Sequence, residues 1–199
     1  MPRKKVDPWF KKEIASVGLI EQSRSSENWS ALAGALKDLC AARQSMHEAA
    51  KNGKRVQIID SIESSDEIHE NGRYLVRPPL VGRDAGIIGN ALRANGISAI
   101  VVCREPSTSL GYCPIVALGS GVMVRVQIEE PANPEKPTCS WFDHAIDELG
   151  NHILSKINPE SKLVRQLDYL LVHIPAAPTH SGLYKTAIEF CLTLQAQSV

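Results

Sequence analysis

Residues 90–130 constrain the fold more than any other part of the chain, because their punctuation fixes an order of elements. After Asn90 the chain reads ALRANGISAIVVCREPSTSLGYCPIVALGSGVMVRVQIEE. Asn95-Gly96 supplies the left-handed stop of a helix. The β-branched run 97–103 then predicts a strand covered on both faces. Gly119-Ser120-Gly121 can take the positive φ of a tight turn, so 114–118 and 122–129 are predicted to pair as a hairpin. Within it Val122, Val124, Val126 and Ile128 alternate with Arg125, Gln127 and Glu129. That period of two places Val124 and Val126, with Val116 opposite, in the core and the polar set on the other face.

Helical periodicity organises the rest. Asp7-Pro8 is a cap-and-proline start for a basic helix with Phe10, Ile14 and Val17 inward and Gly18 as its end. A polar joint over 22–28 leads to a second helix, capped at Ser26 and carrying Trp29, Leu32, Ala33, Leu36, Leu39 and Cys40 to Asn52-Gly53. Residues 55–60 and 73–77 read as strands, the latter closed by Pro78-Pro79. Ile87, Ile88, Ala91 and Leu92 share a face of a helix over 84–95. Beyond the proline-rich loop 131–137 a helix capped near Ser140 turns Phe142, Ala145, Ile146, Leu149, Ile153 and Ile157 inward. A short helix restarts at Asn158-Pro159, residues 168–174 read as a further buried strand, and Ser181 caps a terminal helix carrying Leu183, Ala187, Ile188, Cys191 and Leu192. The expectation is an α/β fold with a central mixed sheet of roughly five strands flanked by helices. It divides as a helical N-terminal extension over 1–53 and an α/β domain over 54–199.

Charge and cysteine bound the function classes. Lys and Arg total 22 against 22 Asp and Glu, so no global field favours nucleic acid. The distribution is uneven: residues 1–55 hold eleven bases against six acids, and 56–72 hold five acids and no base. Five cysteines without a C-x-x-C pair argue against a disulfide framework or a structural zinc site, and the cytoplasm is the expected compartment. The basic start Pro2-Arg3-Lys4-Lys5 lacks the apolar stretch of a secretory signal, and no apolar run approaches a membrane span.

From Asp84 onward the predicted order is helix, three strands, helix, strand, helix. With the glycine-led strand from Gly96, the Ser/Gly loop over 107–112 and Pro114 opening the next strand, this resembles the PD-(D/E)xK nuclease superfamily. That superfamily has the restriction-endonuclease-like fold, also the core of archaeal Holliday-junction resolvases. The resemblance implies that topology and engagement with DNA or a DNA-processing partner. It also implies a dead cleavage site: Ile115 follows Pro114 where the family has Asp, and Val124-Arg125-Val126-Gln127 replaces the acid-and-lysine tetrad. Metal-dependent hydrolysis needs carboxylates around Mg²⁺, and Arg125 would repel the ion. Arg125 and Gln127 then become DNA-contacting candidates. The N-terminal arm, Arg3, Lys4, Lys5, Lys11 and Lys12, is the densest positive cluster and is expected to supply weak, salt-dependent affinity for nucleic acid.

Other constellations keep two alternatives open. Gly82, Gly86 and Gly89 at a helix start invite a phosphate-loop reading, but their spacing is not G-x-G-x-x-G and close helix-on-sheet packing also explains them. Cys103 with His173 or His180 would make a nucleophile pair if their strands were neighbours. Either would support a small-molecule-binding α/β enzyme. Cys139, His144 and His152 lack paired-ligand spacing, so no metal site, no cofactor and no catalytic residue is assigned. The other alternative is a protein-interaction subunit docking through its Trp9/Phe10 helix.

Overall fold

The computed structural model describes residues 8–62 and 68–198. Arg3, Lys4 and Lys5 of the basic arm, the cap Asp7, and Glu63, Asp66 and Glu67 of the acidic stretch lie outside the described residues. Among the described residues five strands form one mixed sheet in sequential order: β1 (Val56–Ile59), β2 (Gly72–Val76), β3 (Ala99–Arg104), β4 (Tyr112–Leu118) and β5 (Met123–Glu129). β1, β2 and β3 run parallel, with Val56 opposite Arg73 and Val76 opposite Cys103. β4 and β5 return antiparallel. The α/β class and the hairpin are as expected: Val116, Val124 and Val126 are all buried.

Helices cover the two faces unequally. Among the described helices α3 (Gly82–Ala94) is the one that packs on one face, where Ile88 and Leu92 join Tyr74, Val76, Cys103 and Val116 in a cluster. The other face carries α2 (Trp29–Lys51), α4 (Cys139–Ser155), α5 (Leu163–His173) and α6 (Ser181–Gln197), whose apolar residues join Leu75, Ile100, Val102, Ile115 and Val126 in one cluster. Trp29, Leu32, Leu36 and Leu39 belong to that cluster, so α2 is a layer over the sheet. Arg73 ties this layer together. Its buried guanidinium donates to both Asp143 carboxylate oxygens, at 2.8 and 2.9 Å, and to the carbonyl of Gly53 at 3.3 Å.

Several local expectations are corrected. α1 (Pro8–Ser25) runs through Gly18, which faces open space, and through the expected joint as far as Ser25. Its inner face is polar: Phe10, Glu13, Ser16 and Ser23 are buried while Ile14 is 73% exposed. Packing on α2 outweighs the roughly 1 kcal/mol that a mid-helix glycine costs. Arg24 anchors the far end, donating to Asp168 of α5 at 2.9 Å and lying over the Trp29 ring. Asn28, not Ser26, caps α2, its side chain accepting from the N–H of Ala31 at 3.0 Å. Thr138 caps α4. Asn158-Pro159 forms a turn rather than a helix.

The largest correction is at 168–174, expected as a strand. It is the second half of α5 and the start of a 3₁₀ turn, Ile174–Ala176. Leu167, Leu170 and Ile174, three and four apart, are its buried residues, a helical spacing that a short apolar run hides when read by composition. The sheet position beside β3 is therefore held by β2, from upstream of α3.

Candidate functional site

The sheet opens between β3 and β4. Their ladder sets Cys103 opposite Val116 and Arg104 opposite Ile115 and continues with the Glu105 N–H donating to the Pro114 carbonyl at 2.9 Å, but no register pair is formed before Cys103 among the described residues. Beyond Val116 the end of β4 is drawn elsewhere. Ser120 donates its backbone N–H to the carbonyl of Val172 in α5 at 2.9 Å, and Gly119 closes the turn by donating to Val122 at 2.9 Å. Gly119 permits this approach: a Cβ there would stand 2.6 Å from the Val172 carbonyl oxygen. The first half of β3 keeps its pairing with β2. Between the parted ends lies a cleft of about 410 Å³, within the range of small-molecule sites.

α3 forms the wall on one side. Gly82 and Gly86 let it lie close on the sheet, since a Cβ on either would come within 2.8 Å of Val116 or 2.6 Å of Leu118. The glycines thus serve close packing, as the plainer of the two sequence readings held. The same helix face continues to Asn90 and Arg93, and with Arg83 these line the cleft opposite Val101, Leu118 and Ser120. Two guanidiniums, an amide and a hydroxyl stand there, with no carboxylate among the described residues of the lining. Ile146, Pro175, Ala176 and Pro178 close the far side.

Behind the cleft lies a buried charged cluster. Arg93, Ala99, Ile100 and Pro178 also border a hole of about 20 Å³ lined by Arg43 and His47, room for one water molecule. Arg43 of α2 donates from Nε to Glu13 Oε1 of α1 at 2.8 Å and from Nη1 to the Tyr184 hydroxyl at 2.9 Å. Tyr184 donates onward to the carbonyl of Pro178 at 2.8 Å. Arg93 Nη1 lies 3.6 Å from Glu13 Oε1. The carboxylate is 4% exposed, and its Oε2 makes no hydrogen bond. Burial raises the Tyr184 hydroxyl pKa against the opposing pull of Arg43. Burial likewise lowers His47, with Lys51 adding to the effect. Desolvation lowers the pKa of Arg93 too, but a guanidinium stays charged at any working pH.

The remaining candidates fall apart in space. Arg125 and Gln127 lie on the exposed side of edge strand β5 and border a surface groove with Glu148, Asn151, His152 and Ser155. Arg125 is paired with Glu105. Lys11 and Lys12 are exposed on α1, Lys12 bound to Asp38 at 2.9 Å, and neither borders that groove. Cys103 packs under α3, whereas His173 and His180 belong to the helical layer on the opposite face. Desolvation pushes the Cys103 thiol up to about 12, so this is not a nucleophile pair. His173 donates from Nδ1 to the carbonyl of Tyr169, 2.7 Å away, and stacks on the Tyr169 ring. Of the Trp9/Phe10 pair, Phe10 is 3% exposed and packs within its own chain, while Trp9 is half-buried.

Among the described residues no group of three His, Cys, Asp or Glu could hold a metal ion, the set Cys139, His144 and His152 included. No described helix is long and apolar enough to cross a membrane. The residues that sequence reasoning missed are Asn90, Arg93, Glu13 and Arg43. For Asn90 and Arg93 a signal existed, since 82, 86, 89, 90 and 93 fall on one helical face. For Glu13 none did; it sits among lysines and reads as part of a solvated surface. No family model matches the chain, and neither the curated proteins nor the solved structures searched contain a match.

Proposed function

We propose that the chain binds a small anionic molecule, such as a carboxylate or phosphate metabolite, in the cleft where β3 and β4 part. The observation that carries this reading is the charge of the lining: Arg83 and Arg93 face a space of about 410 Å³ bordered by no described carboxylate. Guanidinium forks match carboxylate and phosphate oxygens. Asn90 and Ser120 add polar contacts, and Ile87, Val101 and Leu118 offer an apolar wall for the body of the ligand. Thermal unfolding with inorganic phosphate, citrate and a series of dicarboxylates tests it. Anions should raise the midpoint in a saturable way, uncharged analogues should not, and Arg93→Gln should remove the effect. Equal response of wild type and Arg93→Gln would end the reading.

A second reading is the nuclease-type one, a non-catalytic protein engaged with DNA or a DNA-processing partner. It is supported by the order α3, β3, β4, β5, α4 and by Arg125 and Gln127 on the open face of β5. Local charge favours it less, because Glu105 neutralises Arg125 and Glu148 lines the same groove. Affinity for duplex DNA that falls steeply with salt and is lost in Arg125→Gln would raise it above the first reading.

A further inference from the structure

We infer that Glu13, outside the cleft, sets the anion affinity of the cleft by competing for Arg93, and so couples cleft occupancy to the docking of α1. The inference rests on the anion-binding reading above. Arg93 is the single residue common to the cleft lining and the ion pairs of Glu13. Its grip on Glu13 is loose. The 3.6 Å separation from Oε1 is beyond a hydrogen bond, and Oε1 is already taken by Arg43 Nε at 2.8 Å. The other carboxylate oxygen, buried and without a hydrogen bond, is a strong attractor left unused. An anion entering the cleft offers Arg93 a better-placed acceptor, and each contact Arg93 makes there weakens its attraction to Glu13.

The thermodynamic consequence is reciprocal. Withdrawing Arg93 leaves Glu13 held by Arg43 alone, so α1 loses one of the contacts that seat its polar inner face. Neutralising Glu13 removes both the competitor and a nearby negative charge, so the cleft gains affinity. Glu13 is thus a positioning residue: it acts on the ligand through Arg93. A merely structural role, a buried ion pair seating α1, predicts lower stability in Glu13→Gln with affinity unchanged or weakened.

The test uses the full chain with inorganic phosphate and citrate as probes. Calorimetric titration should show Glu13→Gln binding the better probe about fivefold more tightly than wild type despite a lower melting temperature. Hydrogen exchange of wild-type protein, which needs no variant, should show α1 amides exchanging faster at saturating probe than in its absence, while α6 amides do not. Equal or weaker binding by Glu13→Gln, or α1 exchange that is unchanged or slowed, overturns the coupling while leaving the cleft reading intact. Failure of both probes to bind wild type overturns the cleft reading and the coupling with it.

Discussion

The cleft between β3 and β4 and the groove along β5 are built from the same hairpin, yet their charged linings differ. β4 is covered on both faces, and where its ladder with β3 stops one wall comes from α3, whose exposed Asn90 and Arg93 line the cleft. β5 is an edge strand whose alternate residues are exposed, and the arginine of its groove, Arg125, is ion-paired with Glu105 while Glu148 lines the same groove. A chain with equal numbers of bases and acids can therefore still gather two arginines at a cleft with no carboxylate in its described lining, the acid paired with Arg93, Glu13, standing outside that lining. A concave site also exploits its charge better than an open strand face, since partial exclusion of water weakens screening.

The geometry of the cleft rim gives the largest expected effect. Gly119→Ala forces a Cβ onto the Val172 carbonyl oxygen, 2.6 Å away, and should cost about 3 kcal/mol in urea unfolding because backbone must move. Gly121→Ala, at φ +75° but facing open space, should cost only about 1 kcal/mol. Similar losses in both would mean that the turn is not pinned to α5 and that the cleft has no fixed rim.

Charge removal separates the two regions directly. Arg93→Gln should weaken phosphate or citrate binding about tenfold, equivalent to about 1.4 kcal/mol. Arg125→Gln should change it less than about twofold, its charge being already paired with Glu105. Titration calorimetry of the two variants side by side decides which region meets the anion, and the reverse pattern would transfer the function to β5.

Titration of the histidines gives a smaller, graded effect. Burial lowers the pKa of His47 behind the cleft, and of His180 packed on Gly150, below the ordinary 6.5. The unfolded chain then binds more protons than the folded one as pH falls through the ordinary histidine range, so stability is full above it and declines below it. Melting temperature should fall from about pH 7 to about pH 5, and His47→Gln should flatten that slope. A slope unchanged in both His47→Gln and His180→Gln would assign the decline to other groups.

The smallest effect sharpens what the cleft is for. Cys103 lies beneath α3 with its thiol at about 12 and should resist alkylation in the native protein, while the partly exposed Cys40 and Cys139 react first. Anion affinity should survive that labelling, as measured by mass spectrometry and titration on one sample. Loss of binding on modification of Cys139, at the start of α4, would move attention back to the β5 side.

Much of the fold was legible because its signals were local. The hairpin followed from alternation of Val122, Val124, Val126 and Ile128 around a glycine turn, and α3 from apolar spacing and the stop at Asn95-Gly96, where Gly96 takes φ +71°. Residues 168–174 misled because Leu170, Leu171, Val172 and Ile174 satisfy strand and helix templates alike, and only packing on α6 and the sheet chooses between them. α1 misled because its inner face is made of Glu13, Ser16 and Ser23, whose burial depends on partners in other elements.

The amino-acid sequence by itself determined the class, the meander of β3, β4 and β5, the glycine face of α3 and the absence of the acid-and-lysine pattern at 115 and 124–127. These depend on side-chain period and backbone freedom within a few residues of one another. Only the tertiary structure decided that β3 and β4 part, that Arg93 faces the opening, and that Glu13 waits behind it. Those depend on hydrogen bonds and ion pairs between residues far apart in the chain, Ser120 with Val172 and Glu13 with Arg43 and Arg93, whose energies no local window contains.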